Sequence, residues 1–586
     1  MSTRERHRIP ADLRRGLSRR DFLLLGIGVA GAALLAACGG SEPTPTTAPA
    51  PPTATVAQIG SLGNQPTPTP VAAAPSAAAA ATATKPPVAP SAASGEQKKG
   101  GILKVVIIGE PPVVADAMFT TATVTSNIAA QIFEGLFTRD AKYAPKPMLV
   151  EKYTVSADAK NYEFTLRTGV KFHNDKALTA TDVVASLKRW GLLSGRGKLV
   201  FGRLAEGGLQ AKDPQTVTLA FKEPTGVLLD FLALTEAFVL PAEIADAVGK
   251  EKLSETQFIG TGPFKFVERK ADQYIRLVRN DGYAARDDAP DGQAGKKVAY
   301  LDELRLIPVP DASVRTNGLI TGEYHFVETV EPDQYDTVKN DPNLVPLIVK
   351  PYYWTAPHFN KKQGLFTDKR LRQAVGLVLN RQEIMVAAFG RQEFVRLEPS
   401  VSARETVWYS EVGKEQYNKL DPEAAKALLK DAGYTGQTIR WLTTKEYPYM
   451  YNSAAYAKQK MEAIGMKVEL VVSDWATVVA NRAKPDAYEI FLTGHSGYGH
   501  PATQPFNDKA WPGFWDNAQK DKILGDMVAE ADPAKQKRII EEYEKLIYDE
   551  VPFVKCGDYF LLRAHRKEVK GYVNPADWFF WNVSLA

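Results

Sequence analysis

Between Ser41 and Ser94 the chain has no aromatic residue, and Glu42 and Lys85 are the only charges there. Pro, Thr, Ala and Ser fill most of the interval. Such a tract cannot bury enough apolar surface to offset the entropy of ordering it. Its prolines favour an extended chain of about 3.1 Å per residue, a contour of roughly 150 Å. The tract reads as a disordered linker over 39–99, so a folded core has to be built from the residues after Gly100.

Ahead of the linker stands a different kind of segment. Seven arginines and three acids precede Phe22, and 16 uncharged, mostly apolar residues run from Phe22 to Ala37. A membrane-spanning helix needs roughly twenty. A short apolar run behind a cationic head and before small residues is the pattern of a secretion signal. Arg19 and Arg20 with Phe22 and Leu23 resemble a twin-arginine export signal, although Leu24 stands where lysine is usual. Ala36 and Ala37 leave room for a peptidase, and Cys38 offers a thiol for lipid, so 1–38 reads as a signal peptide with a lipobox. The other reading is an uncleaved anchor with an incidental cysteine.

Without the leader the charges balance, because the leader's +4 equals the net +4 of the whole chain. There is no basic stripe with interleaved aromatics, which argues against nucleic acid as a partner. The chain has 2 cysteines, and with Cys38 lipidated Cys556 has no partner for a disulfide. Cys556 is expected to be a small buried apolar residue.

After Gly100 the periodicity changes. Tyr162, Phe164 and Leu166 alternate with polar residues, as do Val217, Leu219 and Phe221, which predicts half-buried strands. Lys270-Ala-Asp-Gln separates two apolar runs as a hairpin turn. Thr179-Ala-Thr-Asp182 has the form of a capping box ahead of Val183, Leu187 and Trp190. Asp368, Asn380 and Asp421-Pro422 open further helices, with Gly390 and Gly433 as stops. Strands alternating with helices over about 490 residues predict an α/β protein of more than one domain.

Motifs for catalysis and metal binding are missing. There is no His-Glu-x-x-His, Cys-x-x-Cys or phosphate-cradling Gly-x-x-x-x-Gly-Lys, and Gly494-His-Ser-Gly497 has the wrong spacing for a nucleophile elbow. His495 and His500 are not at a zinc-ligand spacing. No cofactor and no metal site is expected. Acids are plentiful, so a paired-carboxylate hydrolase stays open on counting alone.

Several blocks resemble one family. Tyr162-Glu-Phe-Thr-Leu-Arg-Thr-Gly-Val-Lys-Phe-His173 with Leu178-Thr-Ala-Thr-Asp-Val-Val-Ala-Ser-Leu187, then Gly260-Thr-Gly-Pro-Phe-Lys-Phe266, Asp368-Lys-Arg-Leu-Arg-Gln-Ala374, the stretch 421–434 and Ile464-Gly-Met-Lys-Val468, follow in order. They are similar to the family-5 extracellular solute-binding proteins of ABC importers, whose members bind oligopeptides, dipeptides or nickel. The resemblance implies a two-lobed, type II periplasmic-binding-protein-like α/β fold with a hinge. One lobe would span 100–355, with an extra subdomain at about 140–257, and be completed by 551–586. The other would span 356–550, with crossings near 357–360 and 551–552. It also implies a non-enzymatic, monomeric receptor on the extracytoplasmic face, with a small solute or oligopeptide, permease subunits and the membrane as partners. A secreted glycan- or peptide-acting hydrolase is the alternative.

By the same analogy solute contacts fall on Met118 and Phe119 after the first strand, on Tyr353 and Trp354 at the first crossing, and on Trp441 and Tyr447 in the second lobe. His495, Tyr498 and His500 lie in a Gly-rich loop of that lobe. Aromatics can stack on a sugar or grip an apolar side chain. In peptide-binding members this loop usually carries an aspartate for the ligand's ammonium. Here Gly497-Tyr-Gly-His-Pro-Ala-Thr-Gln504 has no acid. A free-amine peptide is then disfavoured unless another acid substitutes, because a buried ammonium without an anion binds poorly.

Overall fold

The computed structural model describes residues 97–586, with only the backbone of Pro533. Arg19, Arg20, Cys38 and nearly all of the linker lie outside the described residues. The expected alternations become strands: Asn161–Leu166 buries Tyr162, Phe164 and Leu166, and Thr216–Phe221 buries Val217, Leu219 and Phe221. Both belong to an antiparallel four-stranded sheet with Val150–Val155 and Leu204–Asp213. The capping box forms, with the Asp182 carboxylate accepting from Thr179 N at 2.9 Å and Thr179 Oγ1 at 2.8 Å. Asp368, Asn380 and Asp421 cap their helices, each accepting from a backbone N–H of the first turn.

A second sheet of eleven strands runs through the whole body. Its order is Lys467–Val472, Thr438–Thr443, Ile490–Ser496, Leu344–Phe359, Gly557–Arg566, Phe326–Val330, Ile102–Ile107, Glu303–Pro308, Tyr274–Arg279 and Phe264–Lys270, with the short Val395–Arg396 also paired to Gly557–Arg566. Ile102–Ile107 is parallel to both of its neighbours, and so is Thr438–Thr443. Parallel neighbours need crossover connections, which helices such as Ala312–Thr321 and Pro448–Glu462 supply. The hairpin expected around Lys270 pairs Phe264–Lys270 with Tyr274–Arg279.

Two large apolar clusters pack on this sheet. One gathers Leu103, Val105, Phe164, Trp190, Leu304, Trp578 and Phe580; the other gathers Phe359, Val375, Ile384, Trp441, Phe491 and Cys556. The strand Leu344–Phe359 passes between them, giving Trp354 and Ala356 to the first and Phe359 to the second. The span expected as the second lobe, 356–550, contributes to both. Helices Ala518–Ala529 and Pro533–Glu550 turn Ile523, Met527, Ile540 and Tyr543 into the first cluster. The run from Val551 to Cys556 makes a single bridge between Phe553 and His358 before the strand Gly557–Arg566 begins.

Candidate functional site

In open α/β sheets, ligands sit beyond the carboxyl ends of the parallel strands. Ile108 follows Ile102–Ile107, Thr329 to Pro332 end Phe326–Val330, Tyr447 follows Thr438–Thr443, and Trp475 follows Lys467–Val472. These four chain ends converge on one cavity of 110 Å³. Tyr352 and Tyr353 on Leu344–Phe359, Thr493 and Gly494 on Ile490–Ser496, and Tyr559 to Arg563 on Gly557–Arg566 form its floor. The walls thus combine residues beside both apolar clusters.

Aromatic rings dominate the lining. Tyr352 stacks on Tyr353 at 4.3 Å, Tyr559 stacks on Phe389 at 4.7 Å, and Tyr447 meets Trp475 edge-on at 5.2 Å. A Cβ at Gly494 would lie 2.6 Å from the Tyr559 hydroxyl and 3.2 Å from the Tyr353 ring, so a larger residue there would push the Tyr559 ring aside. The Tyr353 hydroxyl shares a 3.1 Å hydrogen bond with Thr123 Oγ1, which ties the floor to the helix Thr123–Ile132. Burial pushes the phenols of Tyr353 and Tyr447 well above the usual tyrosine range, so both enter contacts as neutral donors or acceptors.

Two carboxylates and one guanidinium interrupt the aromatic wall. Glu328 Oε1 accepts from Ile108 N at 2.7 Å, and Oε2 from Trp578 Nε1 at 2.8 Å. Burial raises the Glu328 carboxyl against the pull of these donors. Glu331 pairs with Arg315 at 3.3 Å. Arg563 donates to the carbonyls of Pro575 and Ala576. Aromatic faces, neutral hydroxyls and charges of both signs can hold a small polar solute by stacking and hydrogen bonding. Among the described residues no group of three or more His, Cys, Asp or Glu side chains is placed to hold a metal ion.

The residues singled out from sequence separate into several environments. Tyr353 and Tyr447 line the cavity. Met118 and Phe119 line a neighbouring groove of 720 Å³ with Arg196, Arg482 and Trp511; Met118 is buried beside Arg189, whereas Phe119 is 48 % exposed. Trp354 is 1 % exposed, its ring 4.6 Å from His495 and 5.3 Å from Phe553. Trp441 is interior to the second cluster. His495 Nε2 lies 2.7 Å from His358 Nε2, one nitrogen donating and the other accepting, and burial drives both imidazoles well below their usual range. Tyr498 donates to Asp577 Oδ2 at 2.9 Å and stacks on Tyr143 at 4.0 Å. His500 is buried against Trp408, its Nδ1 accepts from Ala502 N, and burial lowers it to about 4.

The lining residues the sequence reading passed over are Glu328, Phe389, Trp475, Tyr559 and Arg563. Glu328 and Arg563 did leave a signal, each being a charge inside an apolar strand, in Phe326-Val-Glu-Thr-Val330 and Leu561-Leu-Arg-Ala564. The aromatics among them carry no mark that separates a cavity wall from a core.

Residues 144–515 match the bacterial extracellular solute-binding proteins, family 5, middle region. The chain is 29% identical over 499 residues to a probable peptide ABC transporter periplasmic-binding protein of Sinorhizobium fredii, covering 81% of this chain and 92% of the relative. It is 26% identical over 493 residues to the glutathione-binding protein of Salmonella choleraesuis, covering 80% and 91%. Among solved structures, the periplasmic binding protein AgaA of A. tumefaciens R10 in complex with agropinic acid superimposes with a TM-score of 0.74 at 25% identity, covering 83% of this chain and 99% of that one. The fold is that of a two-lobed periplasmic binding protein, and the chain belongs to the family-5 extracellular solute-binding proteins. It is a solute-binding protein of the ABC-importer type rather than an enzyme, and neither the family nor these relatives support the hydrolase alternative.

Proposed function

We propose that this protein is a lipid-anchored extracytoplasmic receptor that captures a small polar or peptide-like solute between two lobes and delivers it to the permease of an ABC importer. The observation that carries this reading is the aromatic cavity at the convergent strand ends, walled by residues from beside both apolar clusters. The lobes are taken as 100–355 with 551–586, and 356–550, hinged where the chain crosses at 357–360 and 551–552. Solute contacts available only with the lobes together shift the open–closed equilibrium toward the closed form. The likeness to a probable peptide-transporter binding protein and to a glutathione-binding protein supports a peptide-like solute. Cys38 carries the lipid, and the linker reaches from it to the body.

Native mass spectrometry of protein purified from its own host tests the reading. A co-purified mass is expected, lost in a Tyr447→Ala variant that remains folded. A folded double variant, Tyr353→Ala with Tyr447→Ala, that retains the mass would move the site elsewhere. Cys38→Ser is expected to release the protein from the membrane fraction.

A further inference from the structure

Among the described residues the buried arginines are Arg189, Arg315, Arg372, Arg381, Arg482 and Arg563. All but one of them donate hydrogen bonds within the protein. Arg189 donates to Asp116, Arg315 to the carbonyls of Val309 and Pro310, and Arg372 to those of Phe366 and Glu550. Arg381 donates to the carbonyls of Gly376 and Leu379, and Arg563 to those of Pro575 and Ala576. Arg482, 5 % exposed, donates to no group among the described residues. Its Nε is enclosed without a partner, and its terminal nitrogens, equally unbonded, are the part that open space reaches. That space is the groove of 720 Å³ beside the aromatic cavity, which Arg482 lines.

Three rings hold the group in place. The guanidinium carbon lies 5.4 Å from the centre of the Trp475 ring and 5.7 Å from those of Phe491 and Trp511. Ring faces attract the cation but leave its in-plane fork of N–H donors unfilled. Burial lowers the group to about 10, so it is still charged at neutral pH. Buried donors without acceptors are costly and rare, and each calls for a reason.

The groove supplies no acid for this fork. Of the carboxylates that line it, Glu236 pairs with Arg196, Asp521 pairs with Lys520 at 2.8 Å, and Asp508 accepts from Ala510 N. Lys198 and Lys252 add exposed positive charge to the same walls. The rest of the lining is largely apolar: Leu199, Val479 and Trp511 are half-buried, and Phe119 is 48 % exposed.

We infer that this groove is a second binding site, separate from the aromatic cavity, and that it takes a small organic acid whose carboxylate meets the Arg482 fork and whose apolar body lies against Phe119 and Trp511. Two coplanar carboxylate oxygens match two guanidinium N–H groups, a fit that a neutral amide does not reproduce. Phe119, which no core requires to stand in the open, becomes part of the wall against the ligand. The site goes beyond the receptor reading and does not depend on which solute the cavity holds.

Titration calorimetry of the purified full chain tests it with 3-phenylpropionate, 3-phenylpropionamide, acetate and inorganic phosphate. 3-Phenylpropionate is expected to bind at least about tenfold more tightly than its amide and than acetate. Arg482→Gln should remove the preference for acid over amide. Phe119→Ala, at an exposed position, should weaken 3-phenylpropionate and leave the acid-to-amide ratio in place. Tyr353→Ala, which alters the cavity, should leave the acid's affinity unchanged. If Arg482→Gln does not fold, the Phe119 variant and the wild-type comparison still decide. Equal binding of acid and amide, an unchanged preference in folded Arg482→Gln, phosphate binding alone, or no heat from any probe each overturn the proposal. Loss of acid binding in folded Tyr353→Ala would make the acid a ligand of the cavity and overturn the second site. The receptor reading is judged separately, by the co-purified mass, and stands or falls without these results.

Discussion

The strand Leu344–Phe359 turns Tyr353 toward the cavity and Trp354 toward a closed cluster of His358, His495, Phe506 and Phe553. Adjacent residues on a strand face opposite sides, so two aromatics alike in sequence meet different surroundings. Around the cavity the rings pair as closely, Tyr352 with Tyr353 at 4.3 Å, but the pairs enclose a space of 110 Å³. In the cluster the rings contact one another at 4.6 to 6.0 Å, and Trp354, His358, His495, Phe506 and Phe553 are all buried. Aromatic content marks both regions equally. What separates them is which side of the sheet has strand ends converging and which has helices laid across it.

If this contrast is right, the two sides respond differently to truncation. Trp354→Ala is expected to cost about 3–5 kcal/mol, the range for emptying a fully buried large side chain, read as a lower urea midpoint at constant slope. A loss below about 1 kcal/mol would place Trp354 in an open wall, against its burial.

Acid should attack the cluster next. Burial holds His358 and His495 well below their usual range, and His173 and His500 at about 4. Unfolded histidine titrates near 6.5, so below that pH the unfolded chain binds protons the folded chain refuses. Stability is complete above about pH 6.5 and falls as pH drops, by up to about 1.4 kcal/mol per unit for each such histidine. Urea unfolding at pH 7.5, 6.0 and 5.0 measures the slope. His495→Gln is expected to flatten it, and an unchanged slope would mean that this imidazole is protonated in the folded state.

On the cavity side, Tyr353→Ala is expected to cost only about 1 kcal/mol, since the ring is half-buried and bonded by one short contact to Thr123. Its main effect should be lost retention of solute. Equal destabilisation by Tyr353→Ala and Trp354→Ala would erase the distinction. The smallest effect concerns Cys556, whose thiol is pushed up to about 12 by burial. It is expected to resist alkylation in the folded protein and to react in urea.

Much of the scaffold was legible in the sequence because local chemistry decides it. The capping box at Thr179, the alternation of Tyr162 to Leu166 and the hairpin after Lys270 each depend on neighbours a few residues away. The family blocks added the long-range arrangement. The cavity was less legible for a physical reason. Tyr353 and Tyr447 lie in it, yet their partners Glu328, Tyr559 and Arg563 arrive from strands hundreds of residues apart, and no spacing rule connects them. His495 and His500 attracted notice by their Gly-rich setting, but the glycines there accompany buried hydrogen bonds to His358 and Ala502. The absence of an acid in that loop was readable from sequence. That Glu328 and Glu331 line one cavity became visible only when the strand ends were brought together.

Leu344–Phe359 and Gly557–Arg566 are joined to each other by a ladder from Leu344–Arg566 to Thr355–Gly557, with a register shift between Val349 and Tyr353. Leu344–Phe359 gives side chains to both large apolar clusters, and Gly557–Arg566 gives Tyr559 to the second and Phe560, Leu562 and Ala564 to a smaller one. Neither cluster can come apart without stripping hydrogen bonds from a strand that the other holds in place. The molecule is therefore expected to melt as one cooperative unit, with a single heat-capacity peak, although it has two cores and the size of two domains. The strands that join the halves are also what denies them separate lives.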